Sequence, residues 1–419
     1  MRLKDTTLLK ALLFLILVGC ENSFYLINAS AMNISGVFNY QDFYLVLSFL
    51  FFVAVFFKYG KIKCQYKYMW IILAIIPLSL IASVQSLKLY GQSFVMGIRP
   101  QRFWITWALL YFPIRKMMAA KKLTIDDLIK MIYIIGTCEL FLFTAQYILG
   151  RRFQFLYVNV STRYGSDRYY FSTVMLVFLL FVNLDRIFQK RKVIISAIYI
   201  AFIFFVVMEI GKMRMTLFAT IMAMLFGILL WRRGGKTKIG VLIAVAVAGI
   251  LLFNTTIVQD TLMTLLEFRN DKVSATSTLA IRQYGQALYL SSLAKHPVLG
   301  CGYINSLNFN ATAAAGFLDR VYLVDNGLYA FAFIYGGLGI TWAVWFFGTL
   351  IRNGWKIYRE RGHQFMLLIP LGWLISGQTE AHWYFNNGFI WVTILLVILE
   401  EFMKTEKGTR LSLILEGSN

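Results

Sequence analysis

The feature that most constrains this chain is a succession of apolar stretches, each about the 20 residues that carry a helix across a bilayer core, punctuated by short clusters of Lys and Arg. A soluble domain could not keep so much apolar surface out of water. The composition agrees: 59% of residues are hydrophobic, 15% are charged and the mean hydropathy is +0.66. These values exclude the disordered, collagen-like and soluble globular classes. Cys20, Cys64, Cys138 and Cys301 show no CxxC spacing and no metal-ligand companions, so neither a zinc site nor a disulfide framework is indicated.

Walking the sequence at bilayer length gives about twelve spans, near residues 8–27, 41–58, 69–86, 103–118, 128–149, 169–187, 193–210, 215–231, 239–257, 324–351, 365–379 and 388–403. The expected fold is therefore all-α, a single polytopic membrane domain over 1–419. No repeat, Pro-rich or Gly/Ser-rich linker divides it. The longest segment between spans, 258–323, precedes the tenth and is expected to be an external loop.

The formal net charge is +21, which in a soluble protein would raise nucleic-acid binding. Here the charges are placed topologically and no nucleic-acid partner is expected. About two thirds of the 41 Lys and Arg fall on one side of the span list, in KYGKIKCQYK, RKMMAAKK, RIFQKRK, RRGGKTK, RNGWKIYRER and the two termini. That side is expected to be cytoplasmic, with both termini inside. The start, MRLKDTTLLKALLFLILVGC, resembles a lipoprotein signal. Apolar character resumes after Glu21 and Asn22, however, and cleavage would leave an odd number of spans, so the segment reads as a first membrane helix.

The remaining basic residues are unevenly spread over the external side: Arg99 and Arg102; Arg151, Arg152, Arg163 and Arg168; Lys212 and Arg214; Arg269, Lys272, Arg282, Lys295 and Arg320; and Lys88. Guanidinium groups stay charged and grip phosphate through two parallel hydrogen bonds, so this concentration suits an anionic lipid-linked substrate such as a diphosphate. Taken singly, each arginine could equally snorkel to phospholipid headgroups.

No GxSxG elbow, HExxH helix, P-loop or GxGxxG turn is present, and neither a metal nor another cofactor is expected. The 3 histidines are His296, His363 and His382. His363 lies in a basic loop and is expected in solvent. His296 opens HPVLG and either caps a turn or takes part in chemistry. His382 lies beside Glu380 in TEAHWYFNNG, where aromatic residues suit an interfacial belt or sugar stacking. Glu139 is the deepest carboxylate in any span, and Glu209 is expected to pair with Lys212 and Arg214.

The stretch IRQYGQALYLSSLAKHPVLGCG, with Arg282 and then His296, Pro297, Gly300 and Gly302, resembles the second half of the O-antigen ligase and polymerase superfamily. Further on, ligases of that group carry a His-Asn pair, nine residues and Gly-x-x-Gly. Here Asp325 and Asn326 are followed by nine residues and then Gly336 and Gly339. The spacing matches and the histidine does not. TRYGSDRYY, with Arg163, Gly165 and Arg168, and GKMRMTLFA, with Arg214 and Thr216, resemble upstream motifs of the same group.

The resemblance implies a metal-independent transferase acting on a polyprenyl-diphosphate-linked oligosaccharide at the outer face of the bacterial cytoplasmic membrane. Arg282 would meet the leaving diphosphate with Arg163 or Arg168, and Asp325 would act as the base that takes the acceptor proton. Asp325 could instead cap the following helix. Arg214, His296, Asn326, Glu380 and His382 complete the substrate-binding set. Loss of the histidine favours a polymerase of O-antigen, capsule or exopolysaccharide repeats over a ligase moving polymer to lipid A core. A flippase or exporter of lipid-linked glycan is the alternative of another class. A polymerase implies membrane lipid, a flippase and a chain-length regulator as partners.

Overall fold

The computed structural model describes residues 2–28, 40–163, 166–231, 278–317, 323–378, 383–384 and 387–404, with the isolated positions 235 and 238. The expected span at 239–257, most of the first part of the 258–323 segment, Glu380 and His382 lie outside these residues, as does the side chain of Arg163.

The described chain is mostly helical: α1 (Arg2–Cys20), α2 (Tyr40–Tyr59), α3 (Met69–Leu73), α4 (Ile75–Tyr90), α5 (Phe94–Leu109), α6 (Tyr111–Ala119), α7 (Ile125–Leu149), α8 (Val174–Phe188), α9 (Val193–Phe205), α10 (Arg214–Leu230), α11 (Thr278–Lys295), α12 (Phe309–Ala314), α13 (Gly327–Arg361), α14 (Phe365–Ser376) and α15 (Phe389–Lys404). A short antiparallel hairpin, β1 (Val160–Arg163) and β2 (Ser166–Tyr169), pairs Val160 with Tyr169. Among the described residues five helical segments are long and apolar enough to cross a membrane: Gln41–Tyr59, Met69–Tyr90, Ile125–Leu149, Val193–Ile210 and Gly327–Arg361. The molecule is a helical membrane protein.

The core forms around α15, whose residues from Phe389 to Leu399 are buried on every face, as an apolar helix at the centre of a bundle must be. Rings of Trp104, Phe331, Tyr335, Trp342, Phe346, Trp383 and Tyr384 pack beside it, Trp104 lying 5.3 Å from Tyr335 and 5.6 Å from Trp342 between centroids. At the end of α15 the fully buried Arg115 donates to Glu400 at 3.2 Å and Glu401 at 2.8 Å, and the Tyr111 hydroxyl donates to Glu400.

Two local expectations change. The helix expected at 103–118 begins at Phe94, where the Ser93 hydroxyl accepts from the Met96 N–H. Pro100 cannot donate to the Met96 carbonyl one turn earlier; that oxygen instead accepts from the Asn305 amide at 3.0 Å. Arg102, a break in the apolar pattern, pairs with Asp42 at 2.6 Å. His363, expected in solvent, is 12% exposed, with Nδ1 2.8 Å from a carboxylate oxygen of Asp185.

Candidate functional site

The site is organised by a break in α13. Gly336 has φ 60 and ψ −154 inside an otherwise helical run, a region open to glycine alone. Into that break runs the segment after His296. The N–H groups of Cys301 and Gly302 donate to Phe333 and Ile334 at 2.7 and 3.1 Å, and those of Gly337 and Leu338 donate to Pro297 and Val298 at 2.8 and 3.2 Å. Carbonyls and amides exposed by the interrupted helix are thus satisfied by a strut, as buried backbone requires. Gly300, at φ +71, meets Gly336 backbone to backbone, where any Cβ would stand 2.5 Å from the Gly336 nitrogen. His296 begins the strut's turn, its carbonyl accepting from Gly300 at 3.0 Å. HPVLG is thus the turn that its sequence predicts.

The strut fixes α11 against the start of α13. Arg282, Gly285 and Tyr289 recur at helical spacing and share one stripe. The Asn326 amide lies where a Cβ on Gly285 would be, 2.9 Å from its nitrogen. The Tyr289 phenol, 1% exposed, faces Asn326 and senses the charge of Asp325. Its ring is held 4.9 Å from Phe333 and 5.7 Å from Phe317. Arg282 lies one turn back along the stripe and is half-buried.

Asp325 sits in a short 3-10 turn, Val324–Asn326, that precedes α13. Position 326, not 325, is the N-cap, and the Asn326 side chain makes no capping hydrogen bond. Asn326 is 1% exposed, whereas Asp325 is only partly covered. The pair therefore places an amide inside and a carboxylate nearer the surface.

A second group of cations gathers at the same end of the bundle. The Arg168 guanidinium donates to the Gly211 carbonyl at 3.1 Å and lies 4.3 Å over the Tyr170 ring. Gly211 ends the π-helical turn Val206–Ile210, after which Lys212, 2% exposed, and Arg214 open α10. Helix α10 runs antiparallel to α14: Gly227 meets Leu368, and Ala223 lies by Gly372. Arg214 therefore stands at the end of α14 where the Gly377 carbonyl accepts from the Leu328 N–H at 2.7 Å. That contact links the Arg168, Lys212 and Arg214 group to the Asp325 turn through one helix end.

Other sequence expectations take different roles. Arg151 pairs with Asp167 at 2.7 Å, tying the approach to the hairpin, and Arg102 is held by Asp42. Glu209, expected to pair with Lys212 and Arg214, forms no ion pair among the described residues; the helical run ends at Ile210, and the non-helical residues 211–213, with Lys212 at φ 47, separate it from Arg214. Glu139 is 1% exposed and lies within electrostatic reach of Glu21, whose carboxylate accepts from the Trp391 indole at 2.5 Å. Among the described residues no three of His, Cys, Asp and Glu gather as metal ligands would. Sequence reasoning passed over Gly285 and Tyr289, for which the spacing from Arg282 was the one signal, and read Lys212 only as one more external cation.

The fold and this end of the bundle define a helical membrane protein with guanidinium, amide and carboxylate groups brought to one level. No protein-family model matches the chain, and no curated protein does.

Proposed function

We propose that the chain is a polymerase of lipid-linked oligosaccharide repeat units in the bacterial cytoplasmic membrane, with about twelve spans, both termini inside and the Asp325 end facing out. The observation that carries the reading is the placement of the Arg282 stripe against Asp325 and Asn326, level with Arg168, Lys212 and Arg214. The donor is a glycan on a polyprenyl diphosphate. An acceptor sugar hydroxyl attacks its anomeric carbon, the new glycosidic bond forms, and the bond from that carbon to the diphosphate oxygen breaks with its electron pair. Asp325 takes the hydroxyl proton, and the cations meet the charge that grows on the departing diphosphate. Charge that develops in the transition state is what fixed cations stabilise best. Asn326, buried and fixed by the packing of Gly285, orients the acceptor.

The test is purified protein in lipid with a synthetic polyprenyl-diphosphate repeat unit, the lipid-linked products being followed by mass. A ladder of added repeats is expected. Arg282→Ala and Asp325→Asn at matched protein levels are each expected to lower the ladder's rate at least ~100-fold, the scale of removing a general base or one transition-state donor. Transfer only to an added lipid A core acceptor would make the protein a ligase, and passage of the donor across the membrane without transfer would make it a flippase.

A further inference from the structure

At the opposite end of α13, a cleft of about 710 Å³ is lined by Lys67, Arg352, Lys356 and Arg359, with Thr349, Trp355 and Met403. Residues 352, 356 and 359 follow one helix face, where like charges three and four apart repel. Among the described residues none of these four cations forms an ion pair. Glu360 also lines the cleft and pairs with none of them. The nearby acids are taken: Glu400 and Glu401 hold Arg115, and Glu400 also holds Lys404 at 3.1 Å. The closest polar contact of the Lys67 ammonium is the Met403 sulfur at 3.0 Å, a weak acceptor. Desolvation, with Lys356 and Arg352 beside it, holds Lys67 below the ordinary lysine value against the opposing pull of Glu400.

We infer that this cleft binds the phosphate headgroup of an anionic membrane lipid. The occupant follows from depth as well as charge. Lys67 stands just before the span Met69–Tyr90, and Arg352, Lys356 and Arg359 occupy the last turns of the span Gly327–Arg361, so all four lie where headgroups lie. Trp355 is 39% exposed at the same level, the position an interfacial indole prefers. Basic recesses between helices at this depth suit phosphate headgroups, each cation adding attraction. The reading is independent of the chemistry proposed for the other end of the molecule.

The experiment is native mass spectrometry of the full chain exchanged into phosphatidylglycerol or phosphatidylcholine. The wild type is expected to retain phosphatidylglycerol preferentially, and retention is expected to fall roughly fivefold per cation removed in Arg352→Gln, Lys356→Gln and their combination with Arg359→Gln. Lys61→Gln with Lys63→Gln, on the neighbouring exposed loop, is expected to leave retention unchanged. Melting in phosphatidylcholine reports folding, and the triple variant is expected to melt no lower than the wild type there because repulsion has been relieved. Equal retention of phosphatidylglycerol by wild type and triple variant would overturn the inference. So would a wild type that prefers neither lipid. If inorganic phosphate, with no anionic lipid present, stabilises the wild type as much as phosphatidylglycerol does, the occupant is a soluble phosphate and the lipid assignment falls.

Discussion

Replacing Gly336 with alanine tests the strut that builds the candidate site. The alanine would have to hold φ 60 and ψ −154, and its Cβ would stand 2.3 Å from the Gly300 nitrogen and 2.5 Å from the Val298 carbonyl oxygen. Neither is a flexible side-chain end, so backbone must move. Conformational strain of ~1–3 kcal/mol is joined by weakening of four strut hydrogen bonds, each worth about 1 kcal/mol net, for an expected loss of ~3–6 kcal/mol. Gly348 is the internal comparison: it lies in the same helix, and a Cβ there meets nothing within 4 Å. Gly348→Ala is expected to gain up to ~1 kcal/mol from helix propensity. Thermal melts of both variants in mild detergent measure the difference, and labelling of the Cys301 thiol, 0% exposed in the native protein, reports local opening of the strut. A Gly336→Ala protein that melts with the wild type and keeps Cys301 protected would refute this account, as would equal damage from Gly348→Ala.

Arg115→Ala takes its buried guanidinium from the Glu400 carboxylate, 1% exposed, which keeps Lys404 and the Tyr111 hydroxyl, and is expected to cost ~2–3 kcal/mol, whereas Arg115→Met with Glu400→Leu should recover part of that loss in the same melts. Gln146→Leu removes the acceptor of the Phe155 and Leu156 N–H groups at 2.8 and 2.9 Å. A loss of ~2–4 kcal/mol is expected, read as faster proteolysis between 150 and 160. Reporter fusions near residues 290 and 357 should report opposite sides of the membrane, with 290 outside; a shared side would defeat the topology.

Hydropathy alone made most helices legible, because lipid imposes length and apolarity on each span. It failed at 94–102, where Arg99, Pro100 and Arg102 interrupt the apolar pattern. The compensations come from Asp42, 60 residues away, and Asn305, 209 residues from the Met96 carbonyl it satisfies. Such partners are set by packing and leave no local trace. The turn at HPVLG was readable, but its service to the break at Gly336 was not, since a glycine inside an apolar helix looks the same whether or not the helix bends. At the candidate site, Arg282, Asp325 and Asn326 were found through motif spacing. Lys212 was visible only as one more external cation, because its burial, like the docking of Arg168 onto the neighbouring Gly211, is set by packing.

The strut also holds close together residues that lie far apart in sequence, as the proposed function requires. An isolated arginine on α11 would sample many positions relative to Asp325, and a transition state gains from a cation only if the cation is already in place. The backbone bonds on either side of Gly336 remove that freedom without using a charged side chain, and the Gly327 turn carries the same rigidity to Gly377, level with Arg214. Positioning thus rests largely on glycines and main-chain hydrogen bonds. On the proposed function, substitutions at Gly300 or Gly336 should therefore lower the repeat-addition rate even though neither residue would touch a sugar or a phosphate, and they should do so in proportion to how far the Cys301 thiol becomes reactive.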